Sequence, residues 1–118
     1  FVIATVPHTP ATEGLFNLSR FQRMKTSAFF INIGRGMTTK LDDLVAALNS
    51  GEIAGAALDV YEIEPLPTEH PLWTMPNVFI TPHTAGETRA YEDNVIDILV
   101  ENLGHLWRGE KALRNQVL

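Results

Sequence analysis

"FFINIGRGMTTKLDDLVAALNSGEIAGAALDVYEIEPLP", residues 29–67, carries in one stretch the pattern that decides the fold. Residues 28–33, "AFFINI", form a short continuous apolar run of the kind that serves as a strand in a parallel sheet. The turn Gly34–Arg35–Gly36 follows it. Residues 39–50 then place Leu41, Leu44, Val45 and Leu48 at helical spacing, with Gly51 as the stop. A second apolar run, 53–60, contains Asp59 near its end and leads into Glu62 and Glu64 among prolines. Strand, helix and strand in this order make a βαβ unit with a right-handed crossover.

The pattern extends in both directions. "FVIATV" (1–6) is β-branched and ends at Pro7, and "NVFI" (77–80) is a fourth short apolar run. A helix is expected over roughly 19–25, where Leu18, Phe21 and Met24 recur and Ser19 with Gln22 makes a capping-box pattern. A longer helix is expected over roughly 86–108, opened by a second such pattern at Thr84 and Glu87 and closed by Gly109. Its apolar side holds Val95, Ile98, Leu99, Leu103, Leu106 and Trp107. Residues 61–76, with four of the seven prolines, read as a loop carrying a short turn at "HPLW". The expected fold class is α/β: a parallel sheet of about four strands, buried on both faces, with flanking helices.

Bulk properties narrow the function. The 118 residues suffice for one core, and 45% of them are hydrophobic. A net charge of −5, with nine scattered basic residues, argues against nucleic acid as a partner. The absence of cysteine rules out a disulfide framework and a thiolate metal site, and fits a reducing, cytoplasmic setting. No metal site is expected. No run of 18 apolar residues suggests a membrane span, and no signal peptide is visible. The chain starts without Met in the middle of an apolar run, which suggests a piece of a longer polypeptide.

Ligands of parallel sheets bind at the carboxyl ends of the strands. Pro7, His8 and Thr9 follow the first strand, and Gly34, Arg35 and Gly36 the second. Asp59 ends the third, with Glu62 and Glu64 beyond it, and Thr81, Pro82 and His83 follow the fourth. Flanking glycines let Arg35 approach a ligand, and its planar fork suits a carboxylate. His83 is the candidate acid/base, since a histidine side chain can exchange a proton near neutral pH. Either Glu62 or Glu64 would orient it, and spacing does not choose between them. Asp59 reads as a contact to a ligand amide or as a loop-capping residue. His70, before Pro71, reads as structural, Leu72 and Trp73 as a cap on the core, and His8 and His105 as exposed. Thr9 and Thr12 read as turn formers, with a phosphate or ribose as the alternative partner. The chain contains no G-x-G-x-x-G, so the pyrophosphate-binding turn of a dinucleotide site is missing.

"VPHTPAT", "MKTSAFFINIGRG", "LVAALNSGEIAGAALDVYEIEPLP", "HPLW" and "MPNVFITPHTAG", in this order and spacing, resemble the D-isomer-specific 2-hydroxyacid dehydrogenases. The resemblance runs from Phe1 to about Arg108. It implies the second half of a Rossmann-type NAD(P)-binding domain over 1–108, and in 109–118 the start of a segment returning to a substrate lobe. It implies hydride exchange between NAD or NADP and a small 2-oxo or 2-hydroxy acid such as glyoxylate, hydroxypyruvate or a 3-phosphoglycerate-type substrate. It assigns the carboxylate clamp to Arg35, the acid/base to His83 and its partner to Glu64. Cofactor contacts fall on Val6, Pro7, Thr12, Ile33, Gly34, Arg35, Asp59 and His83. A homodimer is implied for the full-length protein. Met37-Thr38-Thr39-Lys40-Leu41 departs from the family's usual small residue, Val and acidic pair after the Arg-Gly. The isolated chain is expected to lack activity, because half the cofactor site is not in it. Two other readings stand beside the enzyme: an NAD(H)-binding regulatory module resembling the transcriptional corepressors of this fold, and an inactive truncated product.

Overall fold

The structure, a computed structural model, describes residues 1–116. The chain divides into two compact units, Phe1–Ala85 and Gly86–Leu118. The first contains β1 (Val2–Ala4), α1 (Leu18–Phe21), β2 (Phe29–Asn32), α2 (Leu41–Asn49), β3 (Gly55–Leu58) and β4 (Val78–Ile80). Single 3-10 turns lie at Gly36–Thr38 and Pro71–Trp73. The four strands pair in parallel in the order β1-β2-β3-β4. All four expected strands are present, each shorter than its apolar run.

The order never reverses, so successive right-handed crossovers lay their connections on one face of the sheet. Ala4, Phe30, Ala56 and Leu58 project into that face and meet Phe21, Leu41, Leu44, Ala47, Leu48, Ile53 and Leu72 in the core. Phe30 is its centre, 4.8 Å from Phe16 and edge-on to Phe21 at 5.2 Å. Burial of both sheet faces does not hold within this unit. Ile3, Ile31, Ala57 and Phe79 stand in register across the other face. Ile3 is 56% and Phe79 67% exposed.

The helix starts also differ from the capping-box reading. Asn17, not Ser19, caps α1: its side-chain oxygen accepts the Arg20 N–H, and the Ser19 hydroxyl is itself bonded to Asn17. The helix therefore starts one residue early and lasts a single turn. Gly51, at φ +74°, ends the chain path of α2 as expected.

The second unit contains α3 (Tyr91–Trp107), which starts five residues later than the pattern suggested. Thr84 does not cap it: the helix opens at Ala90 without a side-chain cap. Glu92 and Asp93 in the first turn and His105 in the last complement the helix dipole. Gly109, at φ +72°, closes the element. Asn102 brackets the Arg114 backbone, accepting its N–H at 2.8 Å and donating to its carbonyl at 3.1 Å. His105 is half-buried, not exposed, because Glu101 and Glu110 flank its ring. The expected returning segment, 109–118, ends in Val117 and Leu118, which lie outside the described residues.

Candidate active site

The arginine turn is fixed from below by a buried polar cluster. Asn32, the last residue of β2 and fully buried, accepts the Gly34 N–H at 3.0 Å. Its amide donates to the Arg35 carbonyl and to the hydroxyls of Thr38 and Thr39, at 3.0–3.3 Å. Both threonines are fully buried, so the pair that departs from the family pattern is structural. The glycines are required by close approach, not by positive φ. A Cβ on Gly34 would stand 2.9 Å from the Val6 carbonyl oxygen, and one on Gly36 only 1.8 Å from that of Tyr61. Gly34 thus joins the ends of β1 and β2, and Gly36 lets the β2 turn pass against the loop after β3. Arg35 is left exposed, tethered by one bond from its guanidinium to the Gly34 carbonyl.

The loop after β4 holds the histidine. Asp59 is 3% exposed, and its carboxylate accepts from the Thr81 hydroxyl at 2.5 Å and from the Thr84 and Ala85 N–H groups at 2.9 Å. This clasp fixes both flanks of His83, whose φ of +59° lies in the left-handed region. The ring turns toward the loop after β3, and its Nδ1 meets Glu64 Oε2 at 2.7 Å. The other carboxylate oxygen of Glu64 accepts the Tyr61 N–H at 2.9 Å. The choice between the two glutamates is therefore made by geometry. Glu62 points the other way, to the Leu41 N–H at 2.7 Å and toward Lys40 Nζ at 3.5 Å, and so serves the start of α2.

Burial alone would raise the Asp59 carboxyl, but the bonds from Thr81, Ala85 and Thr84 and the nearby His83 hold it below its ordinary value. At Glu64 burial also raises, and the bonds from His83 and the Tyr61 N–H, with the His83 charge, outweigh it. Burial pushes the Tyr61 phenol up to about 12, with Asp59 adding to the rise. Glu64 thus remains an anion against the imidazole, and Tyr61 stays neutral at physiological pH.

Two depressions lie along the carboxyl edge of the sheet. Thr5, Val6, Pro7, Ile33, Gly34 and Arg35 line one of about 240 Å³ at the ends of β1 and β2. The other, of about 620 Å³, is walled largely by Pro65, Leu66, Trp73 and Pro82, with Glu64 and His83 as its ionisable acid and base. Arg35 and His83 leave strands two positions apart, a lateral step of roughly 10 Å.

The remaining candidates have structural contacts. Thr12 donates to the Pro7 carbonyl and accepts the Thr9 N–H, closing a turn. His70 Nδ1 accepts the Leu72 N–H, and Leu72 is buried in the core as expected. Trp73 is half exposed, its indole donating to the Pro67 carbonyl, so it lines the larger depression and does not cap the core. His8 is exposed near Glu13. Sequence reasoning missed Asn32, Tyr61 and Thr81. The available signal was a polar residue inside the second apolar run, another just after the fourth, and a tyrosine two residues after Asp59. Among the described residues, no group of three or more His, Asp or Glu is placed to hold a metal ion. No helix among them is long and apolar enough to cross a membrane.

Residues 1–85 match the model of the D-isomer specific 2-hydroxyacid dehydrogenase NAD binding domain. The chain is 47% identical over 110 residues, 93% of its length and 34% of the relative's, to a human glyoxylate reductase/hydroxypyruvate reductase. It superposes with a TM-score of 0.89 and 43% identity on a D-isomer specific 2-hydroxyacid dehydrogenase from Xanthobacter autotrophicus Py2 solved with NADPH and MES, covering 99% of this chain and 47% of that one. A TM-score of 0.89, at 33% identity, relates it to an NADPH-dependent glyoxylate/hydroxypyruvate reductase from Sinorhizobium meliloti solved with NADP and sulfate, over 98% of this chain and 37% of that one. The chain spans about a third of the length of the curated relatives it matches.

Proposed function

The chain belongs to the D-isomer specific 2-hydroxyacid dehydrogenase family, and from that premise we propose that it supplies the acid–base half of an NAD(P)-dependent 2-hydroxyacid dehydrogenase. The observation that carries the proposal is the 2.7 Å pairing of His83 Nδ1 with Glu64 at the same sheet edge as Arg35. With Nδ1 engaged, Nε2 is the ring nitrogen left to exchange a proton with a substrate oxygen. Glu64 fixes the ring orientation and the tautomer. Arg35 takes the substrate carboxylate and, with His83, stabilises negative charge developing on the carbonyl oxygen.

When bound, the nicotinamide cofactor supplies or accepts the hydride. Val6, Pro7, Ile33, Gly34 and Arg35 offer it a depression at the ends of β1 and β2 beside an exposed cation, and Thr12, Asp59 and His83 complete the proposed contacts. In this reading Val6, Pro7 and Thr12 serve the adenosine half of the cofactor and Ile33 and Gly34 the nicotinamide ribose, and the glycine-rich pyrophosphate turn is not among the residues present. The proposed substrates are small 2-oxo and 2-hydroxy acids of the glyoxylate, hydroxypyruvate or 3-phosphoglycerate type, a reading supported by the names of the relatives. Residues 1–108 are proposed as the later half of the nucleotide-binding domain and 109–118 as the start of the segment leaving it. A cytoplasmic homodimer completes the reading.

The test is an NADH and NADPH oxidation assay on the natural polypeptide that carries these residues, with glyoxylate, hydroxypyruvate and pyruvate. Turnover with at least one acid is expected. Cofactor binding without turnover would favour the regulatory module, and the loss of both an inactive product.

A further inference from the structure

We propose that Tyr61 is a positioning residue for the His83–Glu64 pair, an inference that rests on the acid–base reading of that pair. Tyr61 is buried and touches both loops that meet at the pair. Its backbone N–H holds Glu64 Oε1 at 2.9 Å, which leaves Oε2 for His83. Its phenol oxygen lies 2.7 Å from the Thr81 carbonyl and 3.0 Å from the Leu58 carbonyl. The Leu58 carbonyl already accepts the Thr81 N–H at 2.9 Å. The single phenol proton therefore goes to the Thr81 carbonyl, the shorter and less occupied of the two. One residue thus sets the glutamate through its backbone and, through its side chain, fixes the loop two positions before the histidine.

The arrangement complements the Asp59 clasp. Asp59 holds the Thr81 hydroxyl and the N–H groups of Thr84 and Ala85. Tyr61 holds the carbonyl at the start of the same loop. Gly36 is what lets the chain reach this place, since any side chain there would collide with the Tyr61 backbone. Removing the phenol oxygen leaves the carboxylate clasp intact and frees one end of the loop, so the histidine ring loses its fixed distance to Glu64 while the unit keeps its core.

The test is nitrogen-detected NMR of the histidine rings in the natural polypeptide that carries these residues and in its Tyr61→Phe variant. The wild-type chain is expected to show a His83 Nδ1–H resonance in slow exchange with water, displaced by Glu64→Gln. In Tyr61→Phe that resonance is expected to exchange at least tenfold faster, with backbone amide shifts outside residues 58–66 and 80–85 unchanged. An unaltered Nδ1–H in the folded variant overturns the proposal. If Tyr61→Phe does not fold, 4-aminophenylalanine at position 61 replaces it. Its weaker N–H donor should still bind the Thr81 carbonyl and should raise the exchange rate severalfold, and an unchanged rate again overturns the proposal. Because the readout is the pair itself, it stays separate from the enzyme reading: a positive NMR result beside an inactive natural polypeptide would refute the dehydrogenase assignment alone.

Discussion

At the scale of single residues, the site is one histidine whose ring is oriented by one carboxylate. If His83 is the acid/base, His83→Ala in the natural polypeptide should lower turnover by a factor of roughly 100 to 10,000. Steady-state assays with the best substrate decide it, and near-normal turnover contradicts the assignment. Glu64 offers a check that needs no substrate. Its carboxyl is held below its ordinary value of 4.5 in the folded chain, so the stabilisation it provides is present above that value and is lost as pH falls through the folded one. Urea unfolding across acidic pH should therefore show stability falling below 4.5, and Glu64→Gln should flatten part of that slope. Parallel slopes for the two proteins would show that the pairing does not persist in solution. The placement of Arg35 and His83 at the carboxyl ends of strands was legible in the sequence because each stands within three residues of an apolar run. The choice of Glu64 over Glu62 was not, since residues two apart in a loop diverge only once the backbone path is known.

Among the elements, loops and helices depend on side chains far away in sequence. The sequence disclosed α2 through its apolar spacing and its Gly51 stop, but its N-terminal cap comes from Glu62, 21 residues beyond Leu41. No local pattern encodes such a cap, whereas the starts of α1 and α3 were misplaced for other reasons: Asn17, two residues before Ser19, is the cap of α1, and α3 opens at Ala90 with no side-chain cap. Lys40, at the N-cap position, makes no side-chain cap bond, so the carboxylate of Glu62 takes that function, as a capping residue and as a negative charge at the positive helix end. Glu62→Ala should lower stability by about 1 kcal/mol. It should leave the His83 ring signals unchanged, because Glu62 and Glu64 face different partners. Chemical denaturation with NMR of the histidines tests both halves. A shift of the His83 signals comparable to that of Glu64→Gln would mean the two glutamates are not independent.

At the scale of the whole chain, parallel topology was read correctly from four continuous apolar runs, but the same continuity misled on burial. An apolar run shows that both faces of a strand tolerate cover, not that this chain supplies it. Within the unit Phe1–Ala85 the connections lie on one face, and Ile3, Ile31, Ala57 and Phe79 form an apolar row on the other. Phe1 and Phe29 stack beside it at 5.9 Å. Among the described residues β1 also pairs only with β2, so its outer N–H and C=O groups form a bare edge. Flat apolar edges of this kind template pairing with another chain. The isolated 118-residue polypeptide should therefore self-associate, and light scattering after size exclusion should show its mass rising with concentration. Ile3→Lys and Phe79→Lys place a charge at each end of the row, on side chains 56% and 67% exposed, where the cost to the core is small. The double variant should shift the population toward monomer. If the unmodified chain is a monodisperse monomer, the exposed row is covered in solution. If the double variant associates as strongly as its parent, the contact lies elsewhere than on this row.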